Sequence, residues 1–333
     1  MKPFYFKGES MMSFIKHALL PGLILATAVQ AAEPTYPLRA VKIVVPWTAG
    51  QATDVAARNM ATALAAALNQ PFVVDNKPGA GGALGSDFVA KSAPDGYTLL
   101  AGSTGSVTVN PLVSRTPYDA ASFVPAGFIA TVPYVLVTAP GFPARDVNAL
   151  IAMLKAHPGK YTFASSGNGS IGHLIGELFV ANIGAKVTHV PYKGSSGALL
   201  DVMAGRVDFM FDSVSSVLPH LKSERIRAYG LSSARRSAAL PGVGSLASVA
   251  ELRDFDLFAW IGLMAPAGTP VEVTQKLNRE MQEATAGKAL REHFRNLGIE
   301  PVDGMSVSAA ARLLADERAR LGALIRSANI QAD

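Results

Sequence analysis

Five short segments rich in Gly, Ser and Thr hold the residues whose types and spacing could do chemistry. They are residues 47–54 (WTAGQATD), 78–82 (PGAGG), 102–106 (GSTGS), 165–173 (SSGNGSIGH) and 192–196 (YKGSS). Gly lets backbone N–H groups approach a bound group, hydroxyls add neutral donors, and a following helix N-terminus offers partial positive charge. The chemistry these features share is the cradling of a small anion. The candidate ligand contacts are Trp47, Thr48, Ala49, Gln51 and Asp54, then Gly81 and Gly82, then Ser103, Thr104 and Ser106. The fourth segment adds Ser166, Asn168, Ser170 and His173, and the fifth Tyr192, Lys193 and Gly194; Asp212 follows the run 207–211 (VDFMF). No Arg falls within the five segments. An anion there would be held by neutral donors and water rather than by a bidentate guanidinium.

Other chemistries fit these residues less well. Residues 167–172 (GNGSIG) match the dinucleotide pattern G-x-G-x-x-G. Yet the next predicted strand ends in His189-Val190-Pro191-Tyr192, with no carboxylate to hold a ribose. Residues 101–105 (AGSTG) resemble a nucleophile elbow, so a secreted serine hydrolase using Ser103 or Ser170 is the competing reading. Its triad would need a His, and neither His189 nor His220 stands in a catalytic-looking segment. The six His lack zinc-enzyme spacing, and the absence of Cys removes disulfides, thiolate metal sites and a thiol nucleophile. No cofactor or metal is implied. Asp54 also reads as a helix cap, and Asp212 as a cap, a loop anchor or an acceptor for a donor on the ligand.

The segments need a scaffold that brings them together. Residues 41–45 (VKIVV) read as a buried strand closed by Pro46, and Thr53 opens a helix through Asn69. Strands over 72–75 and 97–101 flank a helix over 83–91. Helix–strand pairs are predicted at 146–156 and 161–165, at 171–183 and 187–190, and at 196–204 and 207–211. Strand 226–231 precedes helices over 270–286, 288–296 and 306–328. This alternation predicts an α/β fold with a mainly parallel sheet. The Gly-rich segments fall between strands and helices, at the edge where open parallel sheets bind ligands. The extended apolar runs 133–138 (PYVLVT) and 258–265 (FAWIGLMA) are expected to cross between two hinged lobes, 33–134 plus 263–333 and 138–257.

Composition agrees with this reading. A chain of 333 residues suits two lobes better than one core, and 49% hydrophobic content rules out disorder. Lys2, Lys7 and Lys16 precede the apolar run 18–29 (ALLPGLILATAV), and small residues end at Ala31 before a polar start. That order describes a signal peptide over 1–31, too short in its apolar part to span a membrane. Its removal takes three Lys and one Glu from a net charge of +5, and nucleic-acid binding loses its main support. The expectation is an exported monomer with no membrane insertion after cleavage.

Taken together the segments become recognisable. Residues 46–58 (PWTAGQATDVAAR), 76–84 (NKPGAGGAL), 93–100 (APDGYTLL), 190–194 (VPYKG), 201–212 (DVMAGRVDFMFD) and 265–270 (APAGTP) resemble, in order, the Bug-type family. These are periplasmic substrate-binding proteins of tripartite tricarboxylate transporters. The resemblance implies a type II periplasmic-binding-protein fold, two α/β lobes joined by two crossing strands, and no catalytic step. It implies a small organic carboxylate (a mono-, di- or tricarboxylate or an amino acid) held between the lobes by loop backbone, hydroxyls and water. Membrane transporter subunits or a sensor kinase would then be the partners. The family's first loop usually reads P-F-x-x-G-G-x-T-D. Here Trp47 replaces the Phe and Gln51 the second Gly, which puts a bulky amide where backbone would approach the ligand. Gly197 stands where Pro is common, and Ala204-Gly205 replaces a Gly pair.

Overall fold

The computed structural model describes Met1 and residues 36–330. The expected signal peptide lies outside the described residues. From the first ordered strand the chain runs β1 (Val41–Val45), α1 (Ala52–Leu68), β2 (Phe72–Asn76), α2 (Ala83–Ala90) and β3 (Thr98–Ser103). A π-helical segment, Thr104–Val109, leads into α3 (Asn110–Val113) and the long β4 (Phe123–Thr138). Next come α4 (Val147–Ala156), β5 (Thr162–Ser165), α5 (Ile171–Asn182), β6 (Thr188–Pro191), α6 (Ser195–Met203) and β7 (Phe209–Ser213). The chain closes with α7 (Val214–Lys222), β8 (Arg227–Leu231), β9 (Phe258–Pro266), α8 (Val271–Ala286), α9 (Lys288–Asn296), β10 (Glu300–Pro301) and α10 (Val307–Ser327).

Local sequence explains most of these elements. In β1 the side chains alternate, so Val41, Ile43 and Val45 enter the main core while Val44 enters a second cluster on the other face. A β-branched run buried on both faces is what a central strand requires. In α1 the buried face is Ala56, Ala57, Met60, Ala61 and Leu64, and Asn69 ends the helix at φ 49°. Asn tolerates that left-handed conformation better than other non-Gly residues. Further along, Phe163, Phe179, Phe209 and Phe211 are buried together, with ring centroids 5.4–6.0 Å apart. Truncating one of these rings to Ala would cost about 3–5 kcal/mol.

The strands join in one curled sheet of order β2-β1-β3-β9-β4-β7-β5-β6, with β8 and β10 also paired to β4. Pairs β1–β2, β1–β3, β5–β6 and β5–β7 are parallel, as the alternation predicts. The middle of the sheet departs from that expectation. Both β9 pairs, to β3 and β4, are antiparallel, as are the pairs of β4 with β7, β8 and β10. There β4 runs opposite to every strand it pairs with, and β9 lies antiparallel between β3 and β4, so these two strands stand outside the parallel strand–helix alternation. Residues Phe123–Pro133 of β4 pair with β9, and Tyr134–Thr138 pair with β7 and β8. No helix among the described residues is long and apolar enough to cross a membrane.

Candidate functional site

The turns that follow β1, β2, β5 and β6 and the ends of β3 and β7 meet around two adjoining cavities, which share Trp47 and Ser166. The inner cavity has about 390 Å³ of empty space. Trp47, Gln51, Ala52, Thr53 and Ser103 line it from the β1–β3 side, and Ser166, Ile171, Ser195, Asp212 and Ser213 from the β5–β7 side. Its remaining walls are Val132 and Tyr134 of β4 and Ala259 and Ile261 of β9. The outer cavity, about 620 Å³, is lined by Thr48, residues 78–82, Gly167, Asn168 and 191–194 as well as the shared pair.

Four helices present their first turns to the inner cavity. Ala52 and Thr53 begin α1, Ile171 begins α5, Ser195 begins α6, and Ser213 is the N-cap of α7. First-turn amides have no partner within their helix, and each helix end carries partial positive charge. No Lys, Arg or His lines this cavity, so the donors it could offer an anion are amides and hydroxyls. Asp212 is the exception in sign. It is 4% exposed, and its Oδ1 accepts from the Ser213 amide at 2.7 Å. Burial pushes its carboxyl up to about 6, against the opposing hydrogen bonds of Ser195 and Ser213.

The residues expected to bind fall into three groups. Trp47, Gln51, Ser103, Ser166 and Asp212 line the inner cavity, while Thr48, Gly81, Gly82, Asn168, Tyr192, Lys193 and Gly194 line the outer one. Ala49, Asp54, Thr104, Ser106, Ser170 and His173 line neither; Ala49 is exposed, and the other five brace the loops that do. Asp54 accepts from the Gly50 amide, Arg58 and Asn76, and so holds the first loop in place. Burial pushes its carboxyl up, but those hydrogen bonds, with Arg58 the strongest, outweigh burial and hold it below the usual range. Thr104 Oγ1 accepts from the Trp260 amide, and Ser106 closes a capping box with Ser103. Ser170 caps α5 through the His173 amide.

Sequence reasoning passed over Ser195, Ser213, Thr53 and Tyr134, which line the inner cavity, and Asn110, which holds a turn that lines the outer one. Ser195 stood inside a flagged segment. Asn110 had no local signal: its Nδ2 donates to the carbonyls of Ala80 (2.7 Å) and Gly81 (3.0 Å), thirty residues away. Behind the fourth loop, donor atoms of His173, Glu177 and His189 lie within 4.8 Å of one another. The two imidazoles stack at 4.2 Å and 23°, so their in-plane lone pairs run side by side instead of converging on an ion. His189 instead meets Ser165 Oγ at 2.7 Å beneath the loop.

Residues 56–330 match the family described as tripartite tricarboxylate transporter family receptor. The chain belongs to this receptor family. Its members are periplasmic solute-binding proteins, not enzymes. The receptor is 39% identical to protein BugT of Bordetella pertussis over 311 residues, 92% of this chain and 95% of BugT. Among solved structures, Rhodopseudomonas palustris Rpa4515 with adipate has a TM-score of 0.85 and 34% identity, covering 89% of this chain and 99% of its own. MatC (Rpa3494) from the same organism, with bound malate, has a TM-score of 0.82 and 30% identity, covering 87% and 100%. The receptor thus has the type II periplasmic-binding-protein fold expected from its motifs.

The competing hydrolase reading is not supported. Ser103 Oγ accepts from the Trp47 indole at 3.0 Å and contacts Ser106 Oγ, while Ser170 Oγ accepts from a backbone amide. None of these contacts supplies an imidazole base, which a serine nucleophile requires.

Proposed function

We propose that the receptor captures one small organic carboxylate in the inner cavity, between a lobe of residues 33–134 plus 263–333 and a lobe of residues 138–257. The observation that supports this reading is the convergence of four helix N-termini, two hydroxyl-bearing turns and Trp47 on one cavity with no basic residue. Adipate and malate in the solved relatives support a diacid as the first class to test. The loops named above hold the carboxylate through Ala52, Thr53, Ile171 and Ser195, with Ser103 and Ser166 adding hydroxyls. Lys193 at the outer cavity draws the anion inward. Closure of the lobes follows from tighter binding to the closed arrangement than to the open one. The closed receptor, a monomer exported after cleavage near Ala31, then docks on membrane transporter subunits or a sensor kinase.

A thermal-shift screen against mono-, di- and tricarboxylates tests this. At about a hundredfold excess over Kd, a true solute stabilises the folded receptor by about 2.7 kcal/mol. No shift with any carboxylate would remove the proposal.

A further inference from the structure

The inner cavity holds two buried polar atoms that no group in the protein satisfies. Gln51 is 9% exposed, and its amide Nε2 has no hydrogen-bond partner; the same is true of Oδ2 of Asp212. Both side chains line this one small cavity. Asp212 is faced by the hydroxyl-bearing residues Tyr134, Ser195 and Ser213, and no cation lines the space around it. Leaving a buried donor or acceptor unpaired is costly, and more so when it is charged. A plain alkyl diacid would offer no donor to Asp212 Oδ2 and would set further negative charge beside it.

We infer that the solute carries a hydroxyl next to its carboxylate, which donates to Asp212 Oδ2 and accepts from Gln51 Nε2. This rests on the proposed carboxylate reading and narrows it to hydroxy acids. A hydroxyl is the smallest group with both capacities. An ammonium only donates and would leave the Gln51 amide unpaired, and an ether only accepts and would leave Asp212 unpaired. The first turns of the four helices remain available to the solute carboxylate. Burial raises the Asp212 carboxyl only to about 6, so near neutral pH it is chiefly an ionised acceptor.

Calorimetric titration of the whole receptor with matched acids tests the inference. The pairs are succinate with malate, glutarate with 2-hydroxyglutarate, and butyrate with 2-hydroxybutyrate. In at least one pair the hydroxylated member should bind about tenfold tighter or more, the advantage of a hydrogen bond to a charged group. Asp212→Ala and Gln51→Ala should each cut that advantage to below about threefold. The wild-type pairs decide the matter if a variant fails to fold. Plain acids that bind as tightly as their hydroxylated partners, or amino analogues that bind tighter, would overturn the inference and leave the carboxylate reading intact. Binding of no acid at all would overturn both.

Discussion

Two side chains with opposite titration shifts sit on the β5–β7 side of the receptor, and together they make its acid stability testable. Burial pushes Asp212 up to about 6, and burial with the neighbouring His173 pushes His189 down to about 3. Between about pH 4 and 6 the folded protein keeps a proton on Asp212 that the unfolded chain has lost, so this term falls as pH rises. Between about pH 3 and 6.5 the unfolded chain keeps a proton on His189 that the folded protein lacks, so that term rises with pH. Each contributes a slope of up to about 1.4 kcal/mol per pH unit, and the two oppose each other in the overlap. Asp212→Asn should therefore gain urea resistance more steeply than wild type from pH 4.5 to pH 6, and His189→Gln less steeply. Parallel curves for wild type and Asp212→Asn would show that the carboxyl titrates in the folded state as it does in water. At this scale the residue types of the site were legible, because Gly, Ser and acid residues between strand and helix have few other uses. Tyr134 and Asn110 were not, since a Tyr in an apolar run and an Asn in a helix have many ordinary roles.

Elements carry the site by their ends. The α5 turn is capped by Ser170 Oγ, which accepts from the His173 amide at 3.2 Å, and α7 is capped by Ser213 in the same way. Ser170 lines neither cavity, so Ser170→Ala should cost about 1 kcal/mol of stability while changing the solute Kd less than about threefold. A tenfold loss of affinity with an unchanged melting temperature would instead put the Ser170 hydroxyl on the solute. Most elements fall within two residues of where strand and helix periodicity placed them. The exceptions are α3, α7, β10 and the first part of β4, for which no element was expected; Pro125 and Gly127 are residues that ordinarily interrupt a strand. In the sheet the register of β4 against β9 shifts between Pro125 and Gly127, at a point where the ladder is already irregular. Propensity reads each residue's own backbone preference and cannot see a neighbouring strand that absorbs the irregularity.

At the scale of the molecule, the two sides of the cleft touch through backbone. Gly81 has φ +60°, and a Cβ there would lie 2.0 Å from the carbonyl oxygen of Asn168 on the opposite loop. Asn110 holds the Gly81 turn in this place. Gly81→Ala should block this approach, lowering solute affinity at least about tenfold because the binding-competent arrangement is rarely reached. Its melting temperature without solute should change little, since an isolated Ala at this φ costs only about 1–2 kcal/mol. Calorimetry and thermal unfolding of the same variant check both halves, and unchanged affinity would mean that this contact plays no part in capture. The two-sided organisation was legible in two extended apolar runs, but their antiparallel pairing in the middle of the sheet was not. A parallel reading follows from strand–helix alternation, which says nothing about the direction in which β4 and β9 meet after more than a hundred intervening residues.

The sequence by itself determined the α/β class, the Gly- and Ser-rich loops between strands and helices, the absence of Arg from them and the family motifs. These are properties of short segments, set by backbone preference, capping and side-chain type. Only the tertiary structure decided which loop residues line the two cavities and which lie behind them. It alone set Gln51 and Asp212 in one cavity with an atom of each unpaired. Contacts of that kind join distant parts of the chain, as the Trp260 amide reaches Thr104 across 156 residues. Their partners are chosen by strand order and packing, which no local pattern encodes.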